Sequence, residues 1–218
     1  VTGRGVNLID PAFSSITLDS IVVGNTYAIR SLGSTTNTQW NTLAGTTAVT
    51  YAAGDTFNCA ATIATGYGTG VVYDPAIPAI SSLVLTTDER HVISYGCNDF
   101  IGTPATTATN FVTGKTYQIA TIGTTDFTLI GAASNTPGIS FIATGPGIGT
   151  GAAKEIVQDP MFIAWCDQEQ PQVWYPTVTN TAGSYRLTYG SRIITAEKTR
   201  QEILVFTDTA VYSQQYLG

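Results

Sequence analysis

The 218-residue sequence predicts an all-β protein: a β-propeller-like or sandwich host domain carrying two small inserted β modules. Three observations predict it. Apolar and polar residues alternate with period two through many short runs, and no segment keeps a helical period. An internal duplication sets aromatic and glycine residues at matching positions in two stretches of the chain. Charged residues make up 11% of the chain against 43% hydrophobic. That is less than half the roughly 25% charge usual in soluble domains, so an ordered chain with real cores is expected.

Taken in order, residues 1–20 read as a host strand segment and 21–73 as the first module. Residues 74–109 read as a host β-hairpin, 110–155 as the second module, and 156–218 as a host meander. The first copy runs GNTYAIRSLGSTTNTQW and then GDTFNCAATIATGYGTGVV; the second runs GKTYQIATIGTTDFTLIG and then PGISFIATGPGIGTGAA. Tyr27 aligns with Tyr117, Ile29 with Ile119, Gly33 with Gly123, Trp40 with Phe127 and Phe57 with Phe141. Gly66, Gly68 and Gly70 meet Gly147, Gly149 and Gly151. Thr26–Ile29 and Thr116–Ile119 read as half-buried strands, with second strands at Thr56–Ala60 and Ser140–Ala143. Turn chemistry at Gly54-Asp55 and Asn135–Gly138 precedes those second strands. The glycine-rich ends suit left-handed or tight backbone and read as closing turns. Each unit has a thin core and is expected to lean on a neighbour.

In the host, Ser82–Thr86, a polar turn at Thr87–Arg90 and His91–Gly96 read as strand, turn, strand. Pro160–Trp165 is another strand. Short strands follow at Ser184–Tyr189, Ser191–Ala196, Glu202–Phe206 and Ala210–Tyr216, with Thr207–Thr209 turning between the last two. Such spacing is that of a meander building propeller blades or a sandwich. The modules are expected in host loops, after about Asp19 and after about Gly102. The chain opens on Val1 without Met or a signal peptide and stops at Gly218 directly after a strand-like run, so a piece of a longer chain is expected.

Composition narrows the function classes. A net charge of −6 makes counterion-release binding to nucleic acid a poor fit. Arg186, Arg192, Lys198 and Arg200 fall close together and could form a local basic patch, although a solvated sheet face is the plainer reading. Collagen is excluded by the lack of a glycine every third residue, and no apolar run approaches the roughly 20 residues that span a bilayer as a helix. Cys59, Cys97 and Cys166 are odd in number and widely spaced, and read as buried thiols of a protein folded in a reducing cytosol.

The runs IPAISSLVLTTDERHVISYGCN and DPMFIAWCDQEQ…TNTAGSYRL…TRQEILVFTDTAVYSQQYLG resemble a virion structural protein of marine short-tailed phages, of the tail nozzle or hub type. The resemblance covers roughly Asp74 to Asn98 and Asp159 to Gly218, and extends to Gly3 to Leu18. The two copies resemble a small module that recurs in phage tail and fibre proteins, carried here by TDFTLIGA…ATGPGIGTG; the first copy departs from it with NTQW in place of TDF. The resemblance implies a virion tail component, assembled in the host cytoplasm, with a β-propeller-like body below the portal. The partners implied are other copies of the chain, neighbouring tail or portal-adaptor proteins, and passing genomic DNA bound without sequence specificity. It names no catalytic residue.

Chemistry-bearing residues are weighed against that background. His91, the single histidine, would need a serine or Cys97 as nucleophile for catalysis; it opens a strand after a polar turn, where a structural hydrogen bond is the commoner use. One histidine and no close cysteine pair give no metal site, and no cofactor is expected. Gly114-Lys115-Thr116 imitates the end of a phosphate loop, but Thr109 stands where the motif needs glycine and a strand follows. Gly145, Gly147, Gly149 and Gly151 open no helix, so dinucleotide binding fails too. Two carboxylate pairs, Asp167 with Glu169 and Asp88 with Glu89, are candidates for glycoside cleavage, and calcium at these acids lacks a loop of alternating oxygens. An alternative reading is a carbohydrate- or receptor-binding tail module stacking sugars on Trp40, Tyr67 or Trp174, with Tyr175 and Tyr185 as further exposed rings. The plainer reading is that these aromatics fill cores or intersubunit seams.

Overall fold

The computed structural model describes residues 14–61, 66–88 and 90–215. Strands β1 (Ile16–Thr17), β2 (Thr26–Ser31), β3 (Thr56–Asn58) and β4 (Val71–Tyr73) come first, with helix α1 (Asn37–Ala44) between β2 and β3. Next come β5 (Leu83–Thr86), β6 (Val92–Tyr95), β7 (Ala105–Thr107), β8 (Thr116–Thr121), β9 (Ser140–Ile142) and β10 (Ala152–Glu155). The chain continues through β11 (Phe162–Trp165), β12 (Gly183–Arg186), β13 (Ile193–Lys198), β14 (Ile203–Thr207) and β15 (Val211–Gln214). All strand pairs are antiparallel, in four sheets, and the fold is all-β. Among the described residues no helix is long and apolar enough to cross a membrane.

The duplication is exact in topology. The first sheet has the order β1-β4-β2-β3 and the second β7-β10-β8-β9, the same arrangement element for element. Each core is built around the same aromatic pair. Trp40 and Phe127 are 1% and 0% exposed and meet Phe57 and Phe141 edge-on, at 5.7 Å in both copies. Tyr27 and Tyr117 are buried too, and each hydroxyl accepts the backbone N–H five residues earlier, from Val22 at 3.0 Å and from Val112 at 3.1 Å. The phenol thus places an apolar ring in the core while its polar tip is satisfied at the rim. In both closing glycine loops a buried threonine hydroxyl accepts from a glycine: Gly70 N–H to Thr35 at 3.0 Å and Gly151 N–H to Thr125 at 2.8 Å.

Two features of the modules differ from the sequence expectation. The first strand of each lies inside residues expected to belong to the host: Ile16–Thr17 pairs with β4, and Ala105–Thr107 pairs with β10. The described part of 1–20 therefore belongs to the first module, and residues 1–13 lie outside the described residues. The second difference is α1, in a chain where no helical period was read. Thr36 caps it, accepting from Gln39 N–H while Gln39 Oε1 accepts from Thr36 N–H at 2.8 Å, and Gly45 ends it in left-handed conformation. The second module spans the same place with a 3₁₀ turn, Phe127–Ile130, capped by Asp126.

The modules also touch each other in a two-fold-like way. In β2 the register skips Arg30, and in β8 it skips Ala120, so equivalent bulges mark both strands. Gly54, in the turn before β3, packs on Ala120–Thr121; Gly138, in the equivalent turn before β9, packs on Arg30 and Tyr73. Each module offers its turn to the other's bulge, which is the contact rule of an isologous pair. The Arg30 guanidinium lies 4.7 Å from the Tyr73 ring centroid and donates to Ser14 Oγ at 3.0 Å.

The host strands form two meanders. One has the order β12-β11-β6-β5, which is sequential along the chain, and the other β13-β14-β15. The second module leaves the chain between β6 and β11, two hydrogen-bonded neighbours, so it is an insertion at one end of a hairpin. Ile93, Tyr95, Met161 and Ile163 face Leu187, Ile193, Ala196, Ile203 and Val205 in one shared core. The opposite face of the four-stranded sheet, with Val84, Val92 and Ala164, is covered by Ile77 and Trp174. Period-two alternation along β5, β6 and β11 sorts these residues between the faces. The arrangement is two packed meanders; no ring of blades and no closed barrel is formed by the described residues.

Candidate functional site

The two host sheets line a cleft of about 610 Å³, within the range of roughly 300–1,000 Å³ found for small-ligand sites. Its floor is the end of the shared core, with Ile93, Ile163, Leu187, Ile203 and Val205. Trp165, Tyr185 and Tyr212 add aromatic walls. Trp165 stands opposite Gly183 in the β11–β12 pairing, and its indole lies against that glycine: a Cβ there would come 2.5 Å from the ring. The indole N–H donates to Thr181 O at 2.8 Å, which fixes its orientation.

The rim is polar and carries both signs. Lys198 and Asp88 form an ion pair across it. Glu202 accepts from the Ser213 hydroxyl, and Arg200 is exposed at the mouth. Gln214 accepts from Tyr95 Oη through Oε1 at 2.9 Å, which commits the acceptor end of its amide and keeps the NH2 end as donor.

The residues singled out from sequence fall elsewhere. Trp40 and Trp174 are 1% and 2% exposed, so neither offers a ring face to a sugar. Trp40 fills the first module's core, and the Trp174 indole donates to Pro171 O at 2.8 Å. Tyr67 is half-buried against the first module's core, and Tyr175 against the host's loop-covered face. Tyr185 is exposed, as expected.

Asp167 and Glu169 turn to different partners. Asp167 is buried, and its Oδ1 accepts from Gln168 N–H, Thr181 N–H and the Thr181 hydroxyl at 2.8–2.9 Å. Glu169 instead turns to Arg90, 2.9 Å away. For the other pair, Glu89 lies outside the described residues. His91 is buried, with Nδ1 2.9 Å from Cys166 O; Cys97 lies in the core on the loop-covered face. Of the four late bases, Arg186 and Lys198 are ion-paired, with Asp159 and Asp88.

All three cysteines are buried and free. Burial pushes the Cys97 thiol up to about 12 and the Cys166 thiol up to about 11, and raises Cys59 as well. These are inert packing residues. Among the described residues no group of three or more His, Cys, Asp or Glu gathers where it could hold a metal ion.

One buried acid had no sequence signal. Asp74 accepts from three backbone N–H groups, Ala76 at 2.7 Å, Trp174 at 2.6 Å and Tyr175 at 2.8 Å, tying the end of the first module to the host. Burial pushes its carboxyl up to about 7, against the three N–H donors that pull it down. No protein-family model, curated protein or solved structure matches the chain.

Proposed function

We propose that the chain is a structural component of a bacteriophage tail, of the nozzle or hub type. Copies assemble into a ring that helps retain packaged DNA and channel its exit, with the two modules decorating the exterior or contacting neighbouring tail proteins. The observation that carries this reading is the mutual seating of the modules, each turn on the other's bulge, together with the anchoring of the second between β6 and β11. The modules thus pack on each other, and Asp74 ties the first of them to the host, as a load-bearing part needs. The host resemblance and the recurrence of the module in tail proteins support the same reading. So does the use of Asp74 and Asp167 to hold backbone N–H groups of the host loops.

The chemistry of the role is mechanical and electrostatic. With a net charge of −6, a wall built from such subunits repels DNA and lets it slide. The protein acts without catalysis. Native mass and negative-stain imaging of the purified protein, with immunolabelling of virions, test the proposal: a ring and label at the tail support it, and a monomer absent from the tail overturns it.

A further inference from the structure

We propose that the cleft between the host sheets binds a neutral oligosaccharide. Three features of the cleft converge on that ligand class. First, its lining is aromatic: Tyr185 is 57% exposed, Tyr212 of β15 lines the same cleft with its hydroxyl accepting from Tyr189 N–H, and the Trp165 indole is held against Gly183. Sugar rings present faces of C–H groups, which pack on the negative face of an aromatic ring. Second, the rim supplies planar and hydroxyl hydrogen-bonding groups, including the Gln214 NH2 and the Gln201 amide, matched to vicinal sugar hydroxyls. Third, the charges balance. Lys198 is paired with Asp88, and Arg200 and Glu202 put one further charge of each sign on the lining. A nucleic acid or phosphate ligand needs net positive charge, which this lining does not supply, and a purely apolar ligand would bury the Gln201 and Gln214 amides without answering them.

The proposal does not rest on the tail assignment. The walls come from β11, β12 and β15, and the rim from the segments beside β5 and between β13 and β14, so the modules are not needed. It shares only Tyr185 with the sugar-stacking reading of the sequence; Trp40, Tyr67 and Trp174 do not line the cleft.

The test uses the full purified chain with maltohexaose, cellohexaose and chitohexaose as neutral probes, and an oligogalacturonate and a strand-forming peptide as competitors. Calorimetry measures affinity, and tryptophan emission reports the site, because Trp40 and Trp174 lie in other cores. The expected result is saturable binding of at least one neutral probe with an emission change that Trp165→Phe removes. Tyr185→Ala and Arg200→Ala, both at exposed positions, should each weaken binding at least tenfold while the circular dichroism spectrum stays native. The proposal is overturned if no neutral probe binds at millimolar concentration, or if the acidic probe or the peptide binds more tightly. Affinity unchanged in both variants overturns it equally. Ring assembly is read separately, so either outcome leaves the tail reading to its own test.

Discussion

Gly54 of the first module sits so close to Ala120 of the second that a Cβ on the glycine would lie 2.4 Å from the alanine carbonyl oxygen. Gly54 also has a φ of 101°, a conformation that side-chain-bearing residues rarely adopt. Gly54→Ala should therefore destabilise the protein through both strain and clash, by roughly 2–4 kcal/mol. Gly114 is the control. It too has positive φ, 85°, but nothing stands within 4 Å of its added Cβ, so Gly114→Ala should cost only about 1 kcal/mol. Equal losses in thermal unfolding would mean that the module–module contact carries no energy.

Trp40 and Phe127 hold equivalent places in the two module cores. Truncating either to alanine empties an aromatic-sized space in a thin core and should cost about 3–5 kcal/mol. Trp40→Phe should lose less, because the second module already accommodates phenylalanine against the same edge-on partner at the same 5.7 Å separation. Circular dichroism melts of the three variants check the order.

Asp74 makes stability depend on pH. Its carboxyl is raised from the ordinary 3.8 to about 7 by burial, so the folded chain keeps this proton over a range where the unfolded chain has lost it. Between about 4 and about 7 the folded state binds more protons, and stability from this group falls as pH rises. At about 1.4 kcal/mol per unit, the effect is on the order of 4 kcal/mol when ionisation is complete. Denaturant midpoints of the wild type and Asp74→Asn, compared at pH 5 and pH 8, should show a decline in the wild type that the variant flattens. Parallel pH profiles would contradict the assignment.

Cys59, Cys97 and Cys166 should resist a disulfide-exchange reagent in the native protein at neutral pH, since burial raises all three thiols and the thiolate is the reactive form. All three should titrate promptly in denaturant. Fast labelling of a native thiol would place it at the surface.

The module frames were legible in the sequence because aromatics and glycines repeat, and those residues make the cores and closing turns. The first strand of each module was not. Ile16–Thr17 and Ala105–Thr107 are too short to show alternation, and only pairing with distant β4 and β10 makes them strands. Helix α1 carried a readable signal, Thr36 followed three residues later by Gln39, but two turns are too few to reveal a helical period. Those turns also explain Trp40. Its polar neighbours suggest exposure, yet the helix turns Trp40 and Leu43 inward together. The choice between propeller and sandwich was not legible, because two meanders in sequence suit both equally. The cleft is assembled from segments far apart in the chain, although alternation through Val211–Gln214 already set Tyr212 and Gln214 on one face. Asp74 gave no signal, since its N–H partners at Trp174 and Tyr175 lie about a hundred residues away.

The central claim is assembly into a tail ring, and native mass spectrometry of the purified protein, paired with immunogold labelling of intact virions, tests it most directly. The account predicts a closed oligomer of defined subunit number and gold at the tail below the portal. A monomer at micromolar concentration, with no label at the tail, would contradict it.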